Sequence, residues 1–192
     1  MNILGRASGT PEQALKWFSA RADDSYLEPD HRSLKTIIGA YQEIGERTNV
    51  DWFMALAQCA HETNNLTSWW CLRPRRNPAG VGVTGRTRQK APQSGAWAQK
   101  GNIWVEGVSF ATWADDAVPA HLGRLLAYCM KDNAANDEQR KVIWQAMNYR
   151  RLPAWLRGVA IEWKDLNGKW AVPGAAYGQN IEKLAEWMRK SN

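Results

Sequence analysis

The sequence predicts a mostly helical α+β fold with one small β-containing lobe inserted near the middle of the chain. Apolar residues recur at helical spacing on both sides of residues 66–110, and that spacing vanishes within them, where Gly, Pro, Arg, Thr and Trp dominate. The length of 192 residues fits one domain with a single sizeable core, so residues 1–192 are read as one unit.

The elements follow in order. Thr10, Pro11 and Gln13 mark the start of a first helix over 10–22: a capping hydroxyl, a proline suited to the first turn, and an amide three residues after the cap. A polar, turn-rich stretch covers 23–32. Ser33 is expected to cap a second helix with Leu34, Ile37, Ile38, Tyr41 and Ile44 on one face and Gly45 near its end. A third helix is expected over 51–65, starting at Asp51 or Asn49 and ending at Asn64 and Asn65. It is apolar nearly all round from Trp52 to Ala60, which makes it central.

In the inserted lobe, Val81–Thr84 and Ile103–Val108 read as short strands and 86–100 as a polar loop. After Trp113 the residues Val118, His121, Leu122, Leu125, Leu126, Cys129 and Met130 follow a helical stripe. Two more helices are expected over 137–149 and 153–166. A loop with Gly168, Pro173, Gly174 and Gly178 spans 167–178, and Ile181, Leu184, Ala185 and Met188 define a last helix.

Two features of composition bear on function. Twelve Trp stand against three Phe. A core gains apolar volume from Leu, Ile or Phe without an N–H to satisfy, so the excess of indole suggests several rings exposed in a cleft, where flat faces suit sugar rings, against the alternative that most of the twelve are core or half-buried residues. The net charge of +6 draws polyanions such as nucleic acid, acidic membranes or the bacterial wall. No nucleic-acid motif accompanies it, and nucleic acid is not expected as a partner.

Cys59, Cys71 and Cys129 form no CxxC pair, and His31, His61 and His121 lack ligand spacing, so neither a metal nor any other cofactor is expected. The cysteines read as small buried hydrophobes, with a Cys59–Cys71 disulfide as the alternative. The first residues lack the apolar run of a signal peptide, and no stretch nears the roughly 18 apolar residues that span a bilayer. The expectation is a monomer made in the cytoplasm and not inserted in a membrane.

The chemistry concentrates in residues 55–85. Glu62 ends the buried third helix, with Gln58 four residues earlier on the same face. Small and apolar neighbours would desolvate the carboxyl and raise its pKa, as a general acid near neutrality requires. The Gly-rich run downstream, including Gly80, lets backbone approach a ligand, and Trp69 and Trp70 offer stacking faces. His61-Glu62 lacks the second histidine of a zinc-protease helix, because position 65 is Asn65.

Residues 56–63, LAQCAHET, followed by Asn77-Pro78-Ala79-Gly80-Val81, resemble the glucosaminidase family of peptidoglycan hydrolases, glycoside hydrolase family 73. Phe110-Ala111-Thr112-Trp113 with Asp115, Asp116 and His121, and Lys169-Trp170-Ala171-Val172-Pro173 with Tyr177 to Leu184, extend the resemblance over roughly residues 34–190. It implies a lysozyme-like fold, a helical lobe and a small β-lobe flanking a substrate cleft. It implies cleavage of β-1,4 bonds in bacterial peptidoglycan, with Glu62 as general acid and Tyr177 near the cleft; Gln58, Trp69, Trp70, Asn77 and Gly80 are the residues expected against the substrate.

Glycosidases usually pair two carboxylates, and Glu106 on the candidate strand is the natural second. Asp115 and Asp116 look more like first-turn acids of the next helix. The substrate's own N-acetyl group is a further possibility. Arg73, Arg75 and Arg76 could meet wall anions or simply be solvated. Asn64 departs from the glycine common in the family, and 86–100 has no clear counterpart there. Without a signal peptide or a wall-binding module, the chain resembles a phage endolysin, held in the host bacterial cytoplasm until release. Goose-type lysozymes and lytic transglycosylases, which depend chiefly on one Glu, are the close alternative; a non-catalytic wall-binding or phage structural domain is the distant one.

Overall fold

A computed structural model describes residues 1–191. The helices are α1 (Pro11–Ser19), α2 (Arg32–Thr48), α3 (Trp52–Thr63), α4 (Val118–Cys129), α5 (Asp137–Tyr149) and α6 (Tyr177–Arg189). A three-stranded antiparallel sheet of β1 (Thr87–Arg88), β2 (Trp97–Lys100) and β3 (Ile103–Glu106) lies between α3 and α4 in sequence, with β3 in its middle. The chain is therefore mostly helical and of the α+β class.

Helix α3 occupies the centre, as its apolar surface requires. Every residue from Trp52 to Ala60 is buried, and α1, α2 and α6 pack around it. Asp51 caps it by accepting the Met54 amide at 3.1 Å, and the same oxygen accepts the Ser8 amide at 3.1 Å. Asn64 ends it in the left-handed conformation (φ 48°), which asparagine tolerates. Helix α4 packs chiefly on α5. The N-terminal strand-like segment ties distant parts together: the Ile3 amide donates to the Ile161 carbonyl at 2.9 Å, and the Ile3 carbonyl accepts the Asp51 amide at 3.0 Å.

Several local expectations are corrected. Helix α2 begins one residue before Ser33, because Ser33 spends its own amide and hydroxyl on Glu28 instead of capping; its other end, at Thr48, lies near Gly45 as expected. Residues 81–84 form no strand: Val81 and Gly82 sit in a turn closed by the Val83 amide on the Gly80 carbonyl at 3.0 Å, with Gly82 at φ 71° against Val108. The 86–100 segment is not loop alone: it supplies β1, both of whose residues are exposed, and β2, half-buried at Trp97 and Ala98 and exposed at Gln99 and Lys100, and neither shows the alternation that marks a strand. Residues 153–166 hold only two 3₁₀ turns, Ala154–Leu156 and Trp163–Leu166; a loop with Gly158 at φ 71° separates them. The first turn before α4 is a π-helical segment, Trp113–Ala117, capped by Thr112.

All three cysteines are free thiols, so the Cys59–Cys71 bridge is absent. Among the described residues no helix is long and apolar enough to cross a membrane, and no cluster of His, Cys, Asp and Glu could hold a metal ion.

Candidate active site

Glu62 sits on the last turn of α3, where the helix leaves the core, and its side chain is half-buried. Burial pushes its carboxyl above the ordinary value of 4.5; the Tyr177 hydroxyl, His61 and Trp170 pull it down only in part. Oε1 accepts a hydrogen bond from the Tyr177 hydroxyl. Oε2 faces Gly80, where even an added Cβ would stand 3.9 Å away.

Tyr177 is placed by the start of α6. Gly178 follows it, and a side chain there would collide with the Trp163 carbonyl, only 2.1 Å from the Cβ position. The Gly178 amide donates to Asn167 Oδ1 at 2.8 Å, fixing that first turn. Burial and the neighbouring Glu62 both raise the Tyr177 pKa well above its usual value, so the phenol keeps its proton and stays a donor.

Behind Tyr177 a buried chain of hydrogen bonds runs into the core. Gln58 Nε2 donates to the Tyr177 oxygen at 2.7 Å, and Gln58 Oε1 lies 2.8 Å from His121 Nε2. His121 Nδ1 lies 2.7 Å from the Tyr41 hydroxyl. Burial, reinforced by Arg124, depresses His121 to about 3, so the ring is neutral at ordinary pH. A neutral ring facing an amide oxygen must carry its proton on Nε2, leaving Nδ1 to accept from Tyr41. The donors then point one way throughout: Tyr41 to His121, His121 to Gln58, Gln58 to Tyr177, Tyr177 to Glu62.

That polarity decides where an acidic proton can reside. Oε1 is held as an acceptor, so a protonated Glu62 carries its hydrogen on Oε2. A cavity of about 400 Å³ opens at Glu62, lined by His61, Pro173, Gly174, Tyr177 and Asn180 among others. Volume does not single it out, since an open depression of about 560 Å³ beside Arg124 and Arg150 is larger. The desolvated, one-sidedly bonded carboxyl does.

Of the residues expected at a site, the structure joins Glu62, Tyr177, Gln58 and Gly80. Gln58 does not face a substrate, because it is completely buried with its amide committed to Tyr177 and His121. Asn77 is also completely buried and is corrected from ligand contact to scaffold. Its side chain donates to the Val81 and Val108 carbonyls at 2.9 Å and accepts the Val81 amide at 2.8 Å, shaping the turn that carries Gly80.

Trp69 and Trp70 meet edge to face with centroids 4.9 Å apart. The Arg75 guanidinium lies 3.7 Å over Trp69, and Trp70 packs on Gly107, so both rings are partly engaged by the protein itself. Glu106 ends β3, bonded to Thr84 and 3.5 Å from Arg86. Asp115 and Asp116 do sit in a first turn, where Asp116 accepts the Thr112 amide at 2.9 Å and the Tyr149 hydroxyl at 2.7 Å. Tyr41, His121 and Trp170 also join the site, although the sequence marks them only as helix-face residues or as part of the family resemblance and not as catalytic or binding candidates. A histidine on the apolar stripe of α4 was the available signal, because such a ring needs buried polar partners.

No profile of a known protein family, no curated protein and no solved structure matches the chain.

Proposed function

We propose that the protein is a peptidoglycan hydrolase of lysozyme-like fold that cleaves β-1,4 glycosidic bonds of the bacterial wall, with endo-N-acetylglucosaminidase specificity. One observation carries the reading: Glu62 is a desolvated carboxyl whose Oε1 is fixed by Tyr177 and whose Oε2 is free towards Gly80. A general acid needs this arrangement, a raised pKa and a proton on the oxygen that meets the leaving group. In the proposed step Oε2–H passes its proton to the glycosidic oxygen as that C–O bond breaks. The resulting carboxylate is stabilised by Tyr177, whose own proton stays in place.

Positive charge develops on the sugar that loses the bond, Glu106 is the proposed second carboxylate to meet it, and water then adds to that carbon while its proton passes to a carboxylate, which completes the hydrolysis. Its position at the end of β3 is coupled to the acid's loop, because the Val108 amide donates to the Val81 carbonyl at 3.0 Å, one residue from Gly80. A second reading, a lytic transglycosylase depending on Glu62 alone, is favoured by the engagement of Glu106 with Thr84 and Arg86.

Clearing of purified cell walls by wild type and by Glu62→Gln tests the proposal. Wild type should lower the turbidity and the variant should leave it nearly unchanged. Equal clearing by both removes Glu62 from the chemistry, and no clearing by wild type removes the hydrolase. Mass spectrometry of the products separates the readings, with reducing N-acetylglucosamine ends expected and anhydro-muramic ends marking the transglycosylase.

A further inference from the structure

The positive charge of this protein resides in one place. Between Glu62 and Glu106 there is no acidic residue, while Arg73, Arg75, Arg76, Arg86, Arg88, Lys90 and Lys100 all fall there. That leaves 18 of the 25 cations to face all 19 acids elsewhere, so the rest of the chain is slightly acidic and the inserted segment exceeds the whole net charge of +6.

The structure keeps these charges available. Arg86, Arg88, Lys90 and Lys100 are exposed on and around the β1–β2 connection. Arg73 is 3.5 Å from Glu28 and Arg86 is 3.5 Å from Glu106, whereas Arg75, Arg76, Arg88, Lys90 and Lys100 have no carboxylate partner among the described residues. Indole rings orient several of them: Arg75 stacks on Trp69, Lys100 lies 5.2 Å from the same ring, and Arg88 lies 5.2 Å from Trp97. Of these five unneutralised cations Arg88, Lys90 and Lys100 are exposed, while Arg75 and Arg76 are half-buried against backbone carbonyls, and a repeating polyanion can meet such a lobe at several points at once.

We infer that the β-lobe is a docking surface for a linear phosphodiester polymer of the cell wall, holding the enzyme on the wall while Glu62 acts. The choice of a wall polymer rests on the hydrolase reading above; the charge segregation does not. Nucleic acid fits less well, because single-strand binding relies on open aromatic faces for bases, and here Trp69 already carries Arg75. A bilayer fits less well, because the exposed residues of 86–95 include no large apolar side chain to insert.

The test compares wild type with the triple variant Arg88→Gln, Lys90→Gln, Lys100→Gln, after circular dichroism has shown both folded. Binding is measured by co-sedimentation with intact walls and with walls stripped of phosphodiester polymer by hydrofluoric acid, and by titration with purified poly(glycerol phosphate), from 50 to 200 mM salt. Wild type should bind intact walls at least about tenfold more tightly than stripped walls. The variant should lose most of that difference, and its log-affinity against log-salt slope should be shallower by roughly 2, at about 0.7 per cation removed.

Equal binding of intact and stripped walls overturns the inference, as does an unchanged slope in the variant. Tighter binding of single-stranded RNA or of anionic phospholipid vesicles than of poly(glycerol phosphate) overturns it in favour of those partners. Hydrolysis of stripped walls by wild type is assayed separately, so a missing hydrolase activity and a missing polymer site give different results.

Discussion

The Tyr177 hydroxyl donates to Oε1 of Glu62 across 115 residues of chain, joining the first turn of α6 to the last turn of α3. The bond is one end of a buried relay whose donors all point at the carboxylate, from Tyr41 through His121 and Gln58. Two opposed effects therefore meet on Glu62. Burial holds its proton on, and the relay eases its release from Oε2 once a leaving group can take it.

Tyr177→Phe should separate those effects. Without the hydroxyl, nothing offsets desolvation from that side, and the Glu62 carboxyl should hold its proton to higher pH. A hydrogen bond to a charged group is worth about 1.5 kcal/mol or more, so the basic limb of the pH–rate profile should move up by about one pH unit. The maximal rate should fall at least about tenfold, because the proton is no longer confined to Oε2 and the nascent carboxylate loses a donor. A profile with the wild-type basic limb would mean that Tyr177 does not act on Glu62 in solution.

Glu62 also bears on stability, with a sign opposite to that of most carboxylates. Its folded pKa is raised above 4.5, chiefly by burial. Between 4.5 and the raised value the unfolded chain has released this proton and the folded chain has not, so stability falls as pH rises through that window. Glu62→Gln removes the penalty. The variant should melt at a higher temperature than wild type at pH 7, with the gap closing near pH 4, where both forms are neutral. Thermal melts of the two proteins at those pH values check it; a variant less stable than wild type at pH 7 would contradict the buried setting.

What the sequence disclosed and what it hid divide along physical lines. Helix α3 was legible because its apolar surface has no polar face to turn to water, and Glu62 because it breaks that surface at a helix end. Helix α5 was legible from its spacing, and the structure gives it the same residues, Asp137–Tyr149. Strands β1 and β2 were hidden, since Thr87 and Arg88 are both exposed and leave no alternation to read. Gln58 and Asn77 were legible as polar residues near the site but not as scaffold, because only packing reveals that each is completely enclosed. The relay through His121 depends on four helices meeting, α2, α3, α4 and α6, which no local pattern encodes.

Gly80→Ala should harm activity more than stability. Gly80 adopts φ +60°, where a non-glycine residue costs roughly 1 kcal/mol, and the new methyl would stand 3.9 Å from Glu62 Oε2. The expected stability loss is about 1 kcal/mol, read from urea denaturation. Wall clearing should drop by more than tenfold, because the methyl occupies the side from which a leaving-group oxygen must approach. Equal proportional losses would place Gly80 in the fold alone.

His121 should be the main source of acid sensitivity within the core. Its folded pKa is about 3 against an ordinary 6.5, so between those values the unfolded chain binds a proton that the folded chain refuses. Stability from this group is complete above pH 6.5 and is lost as pH falls towards 3, amounting to about 3 kcal/mol by pH 4 at 1.36 kcal/mol per pH unit. His121→Gln keeps an N–H for Gln58 and removes the titration. At pH 7 the variant should be less stable than wild type by about 1–3 kcal/mol, because the Tyr41 hydroxyl loses its acceptor in a buried site. From pH 7 to pH 4 it should then lose less stability than wild type does, narrowing or reversing the gap. Urea denaturation at both pH values measures the two differences. Parallel pH dependence in variant and wild type would show that folding does not lower the His121 pKa, contradicting the buried neutral ring on which the one-way polarity of the relay rests.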